Sequence, residues 1–301
     1  MPKETLSLEE LIAKYESTYE HAEIGFAPPQ ERLVDGFLAE KLQSIFAKMQ
    51  DKANGGLECD WWTAIIGGEG VGKSTLAASM LWEYAQAAKL DFAEQLKKNV
   101  AFDEFDMLRL ISQLDISSKY SFIWCDEGAN IFFNRDNASV GRKYIIKFSN
   151  AMRFMRYFVA VCSVEASQLD TIIRNHRLKS LIRVEKQGVY HYFSHQQAMR
   201  LLLANQGRRD MQFNWRAVEP EHVGWFGYSP EIKGLVDALK RQYLERFKLE
   251  TRMSYIKELC KKLDISRELE EALPAKLPEN SIHDYAKSAS EKEELKCPKE
   301  Q

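Results

Sequence analysis

The sequence lacks the long apolar runs that a membrane protein or a secreted precursor contains. Its uninterrupted apolar runs are only a few residues long, whereas a transmembrane helix needs roughly 20 apolar residues. The amino-terminal segment MPKETLSLEELIAKYE alternates charged with apolar residues and has no apolar stretch like that of a signal peptide. We therefore expect neither a membrane span nor a secretory leader.

Cysteine is also scarce, and its spacing does not suggest a metal site. The five cysteines are scattered along the 301 residues and share no ligand spacing with one another or with His176, His191 and His195. Cys125 and Cys162 lie inside apolar, strand-like runs, where buried thiols are common. The sequence thus predicts no metal site built from these residues, and it favours a reducing, cytoplasmic location.

The chain carries almost no net charge. Lys and Arg total 42 against 44 Asp and Glu, which gives a formal net charge of −2 at pH 7. This balance excludes a globally basic nucleic-acid binder, although it leaves room for a local basic face. Apolar residues make up 45% of the chain, enough to bury a core, so wholesale disorder is not expected.

The pattern along the chain predicts an α/β core between two helical segments. Strand-like apolar runs alternate with helix-period segments over residues 57–228, which is typical of a mainly parallel sheet, and a glycine turn near the end adds an edge hairpin. Helical spacing predicts an N-terminal helical segment over 1–56 and a C-terminal one over 229–272. Residues 273–301 are rich in charge and proline, and they predict a flexible tail.

A glycine-rich loop follows the first predicted strand, residues 60–66. The next nine residues, GGEGVGKST, match the pattern G-x-x-x-x-G-K-[S/T], and a helix is predicted from Lys73 onward. In this context the glycines let backbone amides turn toward a triphosphate at the positive end of a helix. The loop therefore predicts an ATP site made by nine residues: Gly67, Gly68, Glu69, Gly70, Val71, Gly72, Lys73, Ser74 and Thr75.

An acidic pair supplies the second half of the predicted site. Asp126 and Glu127 close an apolar run, residues 120–125, that suits a strand buried on both faces. We expect Lys73 to reach the β- and γ-phosphates, and Ser74 and Asp126 to hold Mg²⁺, the aspartate through water. Glu127 is placed to polarise the attacking water as a general base.

The order of the strands narrows the class. A short strand is predicted at residues 99–102, between the strand that enters the loop and the strand that ends in the acidic pair. Together with the extra glutamate, this order resembles the additional-strand, catalytic-glutamate division of P-loop ATPases, in which the sheet order is 5-1-4-3-2. No N-K-x-D motif follows the acidic strand, which argues against a GTPase.

Positive charge is concentrated in residues 130–184, where ten Lys and Arg face three acidic residues. Such a stretch suits the phosphates of DNA or an arginine finger that acts on the ATP of a neighbouring subunit. Arg174 is the first choice for the finger and Arg177 the second. Ser163 and Glu165 are available after the fourth strand as γ-phosphate sensors, and the pattern favours neither.

The run from Gly67 to Val184 resembles the FtsK/HerA superfamily of DNA-pumping ATPases, especially the zonula-occludens-toxin-like ATPases of bacteriophages, archaeal viruses and mobile elements. The resemblance covers about 120 of the 301 residues, and it rests on the phosphate loop, on CDEGANIFFNRDNAS with the basic helix after it, and on LDTIIRNHRLKSLIRV. It departs from the family pattern at CSVEA, where a glutamine is usual, and it lacks the membrane-spanning helix of the filamentous-phage group. The second departure argues against a membrane-anchored extrusion pump.

This resemblance implies a RecA-like core that binds ATP and Mg²⁺, with Glu127 as the base and Arg174 as a finger in trans. It also implies a homo-oligomeric ring, usually a hexamer, that threads double-stranded DNA and works in the host cytoplasm or the virion. A capsid or replication protein is a further expected partner. The favoured interpretation is a DNA translocase or packaging motor of a virus or mobile element.

Two alternatives stay open on the sequence alone. An AAA+-like helicase loader or replication initiator would need a C-terminal lid with a sensing arginine, for which Arg200, Arg208 and Arg209 are available. A nucleotide-switched scaffold with little turnover would instead use the long C-terminal helices to bind its partners.

Overall fold

The computed structural model describes residues 29, 31–50, 59–114, 119–132, 140–206, 213–227 and 229–262. One compact unit spans Gly25–Asp237 and contains the sheet; the other comprises Met1–Ile24 and Ala238–Gln301. The predicted helix at the amino terminus and the predicted tail over 273–301 lie outside the described residues. The boundaries predicted for the domains stay predictions.

The described residues form one seven-stranded sheet in the order β2-β3-β4-β1-β5-β6-β7. The first five strands of that order are parallel to one another. Strand β6 pairs antiparallel with β5, and β7 pairs antiparallel with β6. The strands are β1 (Trp61–Ile66), β2 (Val100–Ala101), β3 (Phe122–Cys125), β4 (Phe158–Ser163), β5 (Leu178–Lys186), β6 (Val189–Ser194) and β7 (His222–Trp225).

The predicted fold class is confirmed, because strands β1 to β5 follow the order 5-1-4-3-2 when read from the β5 side. The sheet goes further than predicted at that side, where the expected hairpin strand β6 is followed by β7. The sequence of β7 gave no strand signal, since it is only four residues long, contains Gly224 and alternates between half-buried and exposed positions. Its position is set by pairing with β6 rather than by its own propensity.

The helices cover both faces of the sheet. Buried side chains of α4, α5, α6 and α7 form a core with one face of β1, β3 and β4, while α1, α2 and α3 pack on the other face. The helices are α1 (Gly36–Gln50), α2 (Lys73–Ala88), α3 (Phe92–Asn99), α4 (Glu104–Gln113), α5 (Gly128–Phe132), α6 (Val140–Ala151), α7 (His195–Ala204) and α8 (Pro230–Lys262). The central strands are apolar along their whole length because both of their faces are covered.

Helices α3 and α7 are among the three that the sequence did not predict, the third being the five-residue α5. Helix α3 is only eight residues long, and α7 begins directly after β6, where Ser194 and Gln197 form a capping box. Both helices are short, and short segments give a weak periodic signal. The predicted C-terminal helix is present as α8, which runs to Lys262.

Asp35 joins the segment before α1 to the far edge of the sheet. Its Oδ1 accepts hydrogen bonds from the Leu38 amide (2.9 Å) and the Tyr190 hydroxyl (2.8 Å). Its Oδ2 accepts from the Trp225 amide (3.1 Å) and lies 3.1 Å from Nε2 of His222. Burial alone would raise the pKa of this carboxyl, but the four hydrogen-bond partners together lower the pKa below its ordinary value.

We expect Asp35→Asn to lower the free energy of unfolding by about 2–3 kcal/mol, because a carboxylate with several donors is replaced by a weaker acceptor. Since the folded-state pKa is depressed, the carboxylate stabilises the fold above its unfolded pKa of about 3.9, and this contribution is lost as the pH falls through the folded value. Urea unfolding followed by circular dichroism at pH 7 and pH 3.5 measures both effects, and the variant should lose less stability between those pH values.

Asp91→Asn is the matched control, because Asp91 caps α3 through a single bond to the Glu94 amide and asparagine caps helices equally well. The control should keep the parent's stability. Equal stability of Asp35→Asn and Asp91→Asn would show that the Asp35 contacts contribute nothing.

Candidate functional site

The phosphate loop connects the end of β1 to the first turn of α2. Gly70 and Gly72 have φ angles of 72° and 100°, in the left-handed region that disfavours any side chain. Gly72 is the N-cap of α2, and no side chain caps this helix by a hydrogen bond. Helix α2 therefore begins without a side-chain cap, which is the geometry of helices that bind an anion at their N-terminus.

Two of the loop glycines are required by close packing against the β5 side of the sheet. A Cβ at Gly67 would lie 2.6 Å from the carbonyl oxygen of Val184, and a Cβ at Gly72 would lie 3.3 Å from Cζ of Phe226. The first contact is with backbone and cannot be relieved by a rotamer change. Phe226 was not singled out as a loop neighbour from the sequence, because it lies far along the chain and reaches the loop only through the pairing of β5, β6 and β7.

The Lys73 side chain folds back over the loop. Its ammonium donates a hydrogen bond to the carbonyl oxygen of Gly68 at 2.8 Å. Gly68, Glu69 and Gly70 are exposed, and Val71 to Thr75 are half-buried. The ammonium is thus held at the mouth of the loop, where it is able to meet a phosphate oxygen.

The acidic pair lies directly after β3. Asp126 is 3% exposed, and its amide donates to the carbonyl oxygen of Ala101 on β2 at 3.0 Å. Glu127 is exposed, and its carbonyl accepts from the amide of Asn130 at 2.8 Å in the turn that begins α5. A Cβ at Gly128 would lie 2.5 Å from Val161 and 2.8 Å from the Cys162 carbonyl, so the chain turns here against β4. Because Asp126 is buried and Glu127 is exposed, the two neighbouring carboxylates are suited to different roles.

The sheet brings the loop and the acidic pair to the same edge. Ile66, the last residue of β1, pairs with Ser163, and Cys125, the last residue of β3, pairs with Val161. Because β4 lies between β1 and β3 and all three are parallel, their carboxyl ends share one edge. The two groups of predicted site residues, 67–75 and 126–127, therefore lie on either side of the carboxyl end of β4.

The donor set at this edge fits Mg²⁺. The hydroxyl of Ser74, in the first turn of α2, and the buried carboxylate of Asp126 are hard oxygen donors of the kind that Mg²⁺ prefers. Mg²⁺ usually takes one or two protein oxygens and completes its shell with water and phosphate. Within the described residues, no group of three or more His, Cys, Asp or Glu side chains is arranged to hold a metal by itself.

A glutamine lies near the end of β4, where the sequence analysis found only Ser163 and Glu165. The buried Ser163 hydroxyl is positioned to donate to two acceptors, the Glu165 carbonyl oxygen at 3.0 Å and Oε1 of Gln168 at 3.1 Å. A short 3₁₀ turn, Ala166–Gln168, folds the half-buried glutamine back to the strand end. The sequence pattern did not single out Gln168, because it comes five residues after the end of β4 rather than directly after it.

The two arginines proposed as fingers lie in one π-helical turn, Ile173–Arg177, but in different environments. Arg174 is half-buried, and its guanidinium lies 3.5 Å from the Thr171 hydroxyl; burial lowers its pKa, which Asp170 partly opposes. Arg177 is 2% exposed and forms an ion pair with Asp60. Its role as a second finger is therefore wrong, because it cannot leave the core without stranding a buried carboxylate.

Arg177 has further partners in the core. Its guanidinium donates to the Ser149 carbonyl near the end of α6 and lies 5.7 Å from the centre of the Trp62 ring. Burial lowers the pKa of this guanidinium, and Asp60 opposes the shift. Trp62 in turn donates its indole N–H to Asp60 at 2.6 Å. The amino end of β1, the end of α6 and the start of β5 are thus held together by one arginine.

The remaining basic residues of 130–184 are divided between core and surface. Arg156 donates to the Met49 carbonyl and the Tyr120 hydroxyl, and Arg183 lies over the Trp215 ring. Exposed basic side chains are Lys143, Lys147 and Arg153. Arg135 lies outside the described residues. Part of the segregated charge therefore serves packing, and the exposed part is concentrated around α6.

The helicase-loader alternative requires a lid that carries a sensing arginine, and the described residues contain only one of the three candidate arginines. Arg200 is exposed on α7, which packs against β5 and β6 of the core sheet. Arg208 and Arg209 lie outside the described residues. No helix in the described part of the chain is both long and apolar enough to cross a membrane.

Comparison with known proteins gives structural matches alone. No protein-family model matches the chain, and no curated protein matches it. Among solved structures, it is similar to the genome packaging NTPase B204 of Sulfolobus turreted icosahedral virus 2 in complex with ATP-gammaS, at 11% identity and a TM-score of 0.33, covering 46% of this chain and 93% of that chain.

Two further matches differ in kind. The N-terminal domain of zonular occludens toxin from Neisseria meningitidis is 12% identical, with a TM-score of 0.36, and the match covers 58% of this chain and 97% of that chain. The HORMA:CdnC:Trip13 complex of E. coli MS115-1 is 15% identical, with a TM-score of 0.37, covering 62% and 72%. Two of these three are of the kinds that the sequence resemblance named, and at these scores none of them transfers an activity to this chain.

Arg177→Ala should lower the free energy of unfolding by about 3–5 kcal/mol, because it leaves Asp60 buried without its cation. Arg174→Ala, three residues away in the same turn, should cost less than about 1 kcal/mol. Urea titration of both variants measures the difference. Similar losses in the two variants would contradict the assignment of Arg177 to a buried ion pair and of Arg174 to a half-buried position without one among the described residues.

Proposed function

We propose that the protein is an ATP-hydrolysing motor that translocates double-stranded DNA, of the packaging type found in viruses and mobile elements. The observation that supports it best is the placement of the phosphate loop and the acidic pair on either side of β4, at one edge of the sheet. This is the arrangement that nucleotide hydrolysis needs, because the phosphates and the water must be held between the two.

In this proposal the loop residues 67–75 bind ATP, with the triphosphate against the amides of the first turn of α2. The Lys73 ammonium exchanges its bond to the Gly68 carbonyl for the β- and γ-phosphate oxygens, and Thr75 contacts the α-phosphate. Ser74 and Asp126 would hold Mg²⁺, which supplies neutralisation of the phosphate charge when bound. Asp126 suits this role because its buried carboxylate is fixed at the strand end.

Glu127 is the proposed general base. Its exposed position directly after the buried Asp126 lets it meet a water at the open edge of the sheet. It takes a proton from that water as the water oxygen bonds to the γ-phosphorus, and the bond from this phosphorus to the β–γ bridging oxygen breaks, so that ADP and phosphate are released. Gly128 has to remain glycine for this geometry, because its backbone passes within contact distance of β4. The proposed base is therefore held by a rigid turn.

Arg174 is the proposed finger, acting on ATP bound to a neighbouring subunit of a homo-oligomeric ring, with a hexamer favoured. Its half-buried guanidinium is attached to a turn whose last residue, Arg177, is fixed in the core. A charged group on a fixed turn is suited to stabilise the developing phosphoryl charge. Double-stranded DNA and a capsid or replication protein are the proposed partners.

The first test is steady-state ATP hydrolysis with and without linear duplex DNA at two salt concentrations. We expect the DNA to stimulate hydrolysis at low salt and less at high salt, because phosphate contacts release counterions. Lys73→Ala should abolish nucleotide binding and turnover. Glu127→Gln should still bind ATP but turn over about 10²–10⁴-fold more slowly, since the base is lost.

Two other outcomes of these measurements would each indicate a different function for this protein. Hydrolysis that ignores every nucleic acid would overturn the DNA motor and leave a nucleotide-dependent enzyme with a protein partner. A Glu127→Gln variant that keeps most of the parent's response to ATP would indicate a nucleotide-switched scaffold with little turnover.

The second test mixes two inactive variants. Arg174→Ala should lower turnover by about 10³-fold or more if the arginine acts as a finger. Mixing Arg174→Ala with Lys73→Ala should restore part of the activity, because some interfaces then combine an intact loop with an intact Arg174. The activity of the mixture is compared with that of each variant at the same total concentration.

Arg200→Ala is the control for this experiment, since Arg200 is exposed on α7 and is used only by the helicase-loader alternative. It should behave like the parent. A large loss in Arg200→Ala together with an active Arg174→Ala would favour the loader, and a mixture that stays inactive would argue against catalysis in trans.

A further inference from the structure

Helix α6 has one buried and one exposed side. Ile145 and Ser149, one turn apart, are completely buried, whereas Lys143, Tyr144 and Lys147 are exposed. Tyr144 is 61% exposed, so most of this aromatic residue is open to solvent and is not packed in the core. The helix therefore presents a defined strip of two lysines and one tyrosine, which we call the α6 strip.

The α6 strip lies in a segment that has no acidic residue. Residues 140–156 contain five Lys and Arg and no Asp or Glu. Among the residues that the structure describes, neither Lys143 nor Lys147 has a carboxylate within ion-pair distance. Two other exposed lysines do have a carboxylate nearby, since Lys98 pairs with Glu94 and Lys233 lies 3.8 Å from Asp237. The charge of the strip is thus uncompensated within its own segment.

The tyrosine fits the same ligand as the lysines. The Lys147 ammonium lies 5.9 Å from the centre of the Tyr144 ring, so the two side chains are neighbours one turn apart. Tyrosine hydroxyls and lysine ammonium groups are both common donors to phosphate oxygens on DNA. A strip with two lysines matches a row of phosphates better than it matches a protein surface, because lysine is depleted at protein–protein interfaces.

A series of buried contacts also links the α6 helix to the strand that enters the predicted site. The Ser149 carbonyl near the end of α6 accepts a hydrogen bond from Arg177, which pairs with Asp60 at the start of β1. The other end of β1 enters the phosphate loop. Helix α6 and the strand that carries the loop therefore contact the same buried arginine, and Arg174 lies in the same turn as Arg177.

We infer that the α6 strip, Lys143, Tyr144 and Lys147, binds the phosphate backbone of duplex DNA. This inference rests on the proposed function, and it names the surface by which that function would meet its substrate. The contact is independent of base sequence, because ammonium and hydroxyl groups on an exposed helix meet phosphates and not base edges.

The test measures binding of a fluorescently labelled linear duplex to the full-length protein by anisotropy over a range of salt concentrations. Lys143→Gln/Lys147→Gln should raise Kd about tenfold at low salt and reduce the slope of log K against log[salt] by about two, one unit per lost phosphate contact. The loss should be equal for duplexes of different sequence. Hydrolysis of ATP without DNA should be unchanged, whereas its stimulation by DNA should fall with the affinity.

Lys98→Gln/Lys233→Gln is the matched control, because it removes the same charge from two exposed lysines outside the strip. It should keep the parent's affinity and salt slope. A strip variant that binds like this control would overturn the inference, and so would equal weakening by both double variants, which would mean that only net charge matters.

Tyr144→Phe and Tyr144→Ala separate a hydroxyl contact from base stacking. For a phosphate contact, both variants should weaken duplex binding by a similar factor. If only Tyr144→Ala weakens binding, and only on single-stranded DNA, the ring stacks on bases and the duplex assignment is overturned. A parent protein that binds no DNA at all would instead remove the proposed function, and the inference with it.

Discussion

The ion pair between Arg177 and Asp60 joins the parts of the core on which the candidate site depends. It fixes the amino end of β1, and through the Ser149 carbonyl it fixes the end of α6. A buried pair of this kind adds little net stability, but it is costly to break, so it specifies one arrangement of its neighbours. The phosphate loop at one end of β1 and the finger candidate beside Arg177 are positioned relative to a single buried group.

Steric limits at three glycines complete the site. Gly67 passes against the β5 backbone, Gly72 against Phe226, and Gly128 against β4. Each of these contacts is between elements that are distant in the sequence. A Cβ at Gly67 or Gly128 would clash with neighbouring backbone, and a Cβ at Gly72 would crowd the Phe226 ring. Gly72 thus meets two demands at once: the left-handed turn that the loop requires and the close approach of Phe226.

The sequence was informative where function is local and weak where it is not. The loop from Gly67 to Thr75 and the pair Asp126–Glu127 were predicted because their residue types and spacing lie within a few positions on the chain. Arg177 was misjudged because it lies in the same basic segment as Arg174, and its burial is decided by Asp60, 117 residues away. Phe226 was missed for the same reason, since only the folded sheet brings it to the loop. Gln168 was missed for a local reason, because a short 3₁₀ turn separates it from the end of β4. The order of the first five strands could be predicted, whereas β7 depends on pairing with β6 and had no signal of its own.

The packing of Phe226 against Gly72 has a consequence for how short a fragment of this chain can be and still support the phosphate loop. Phe226 forms a β-bridge with Val34, and the Gly227 amide donates to the Leu33 carbonyl at 2.6 Å. A fragment that began at β1 would retain every residue that a motif search recognises, yet it would lose the chain segment against which Phe226 is seated. The shortest stretch that contains all the motifs is therefore shorter than the stretch whose packing supports the loop, because Leu33 and Val34 precede β1.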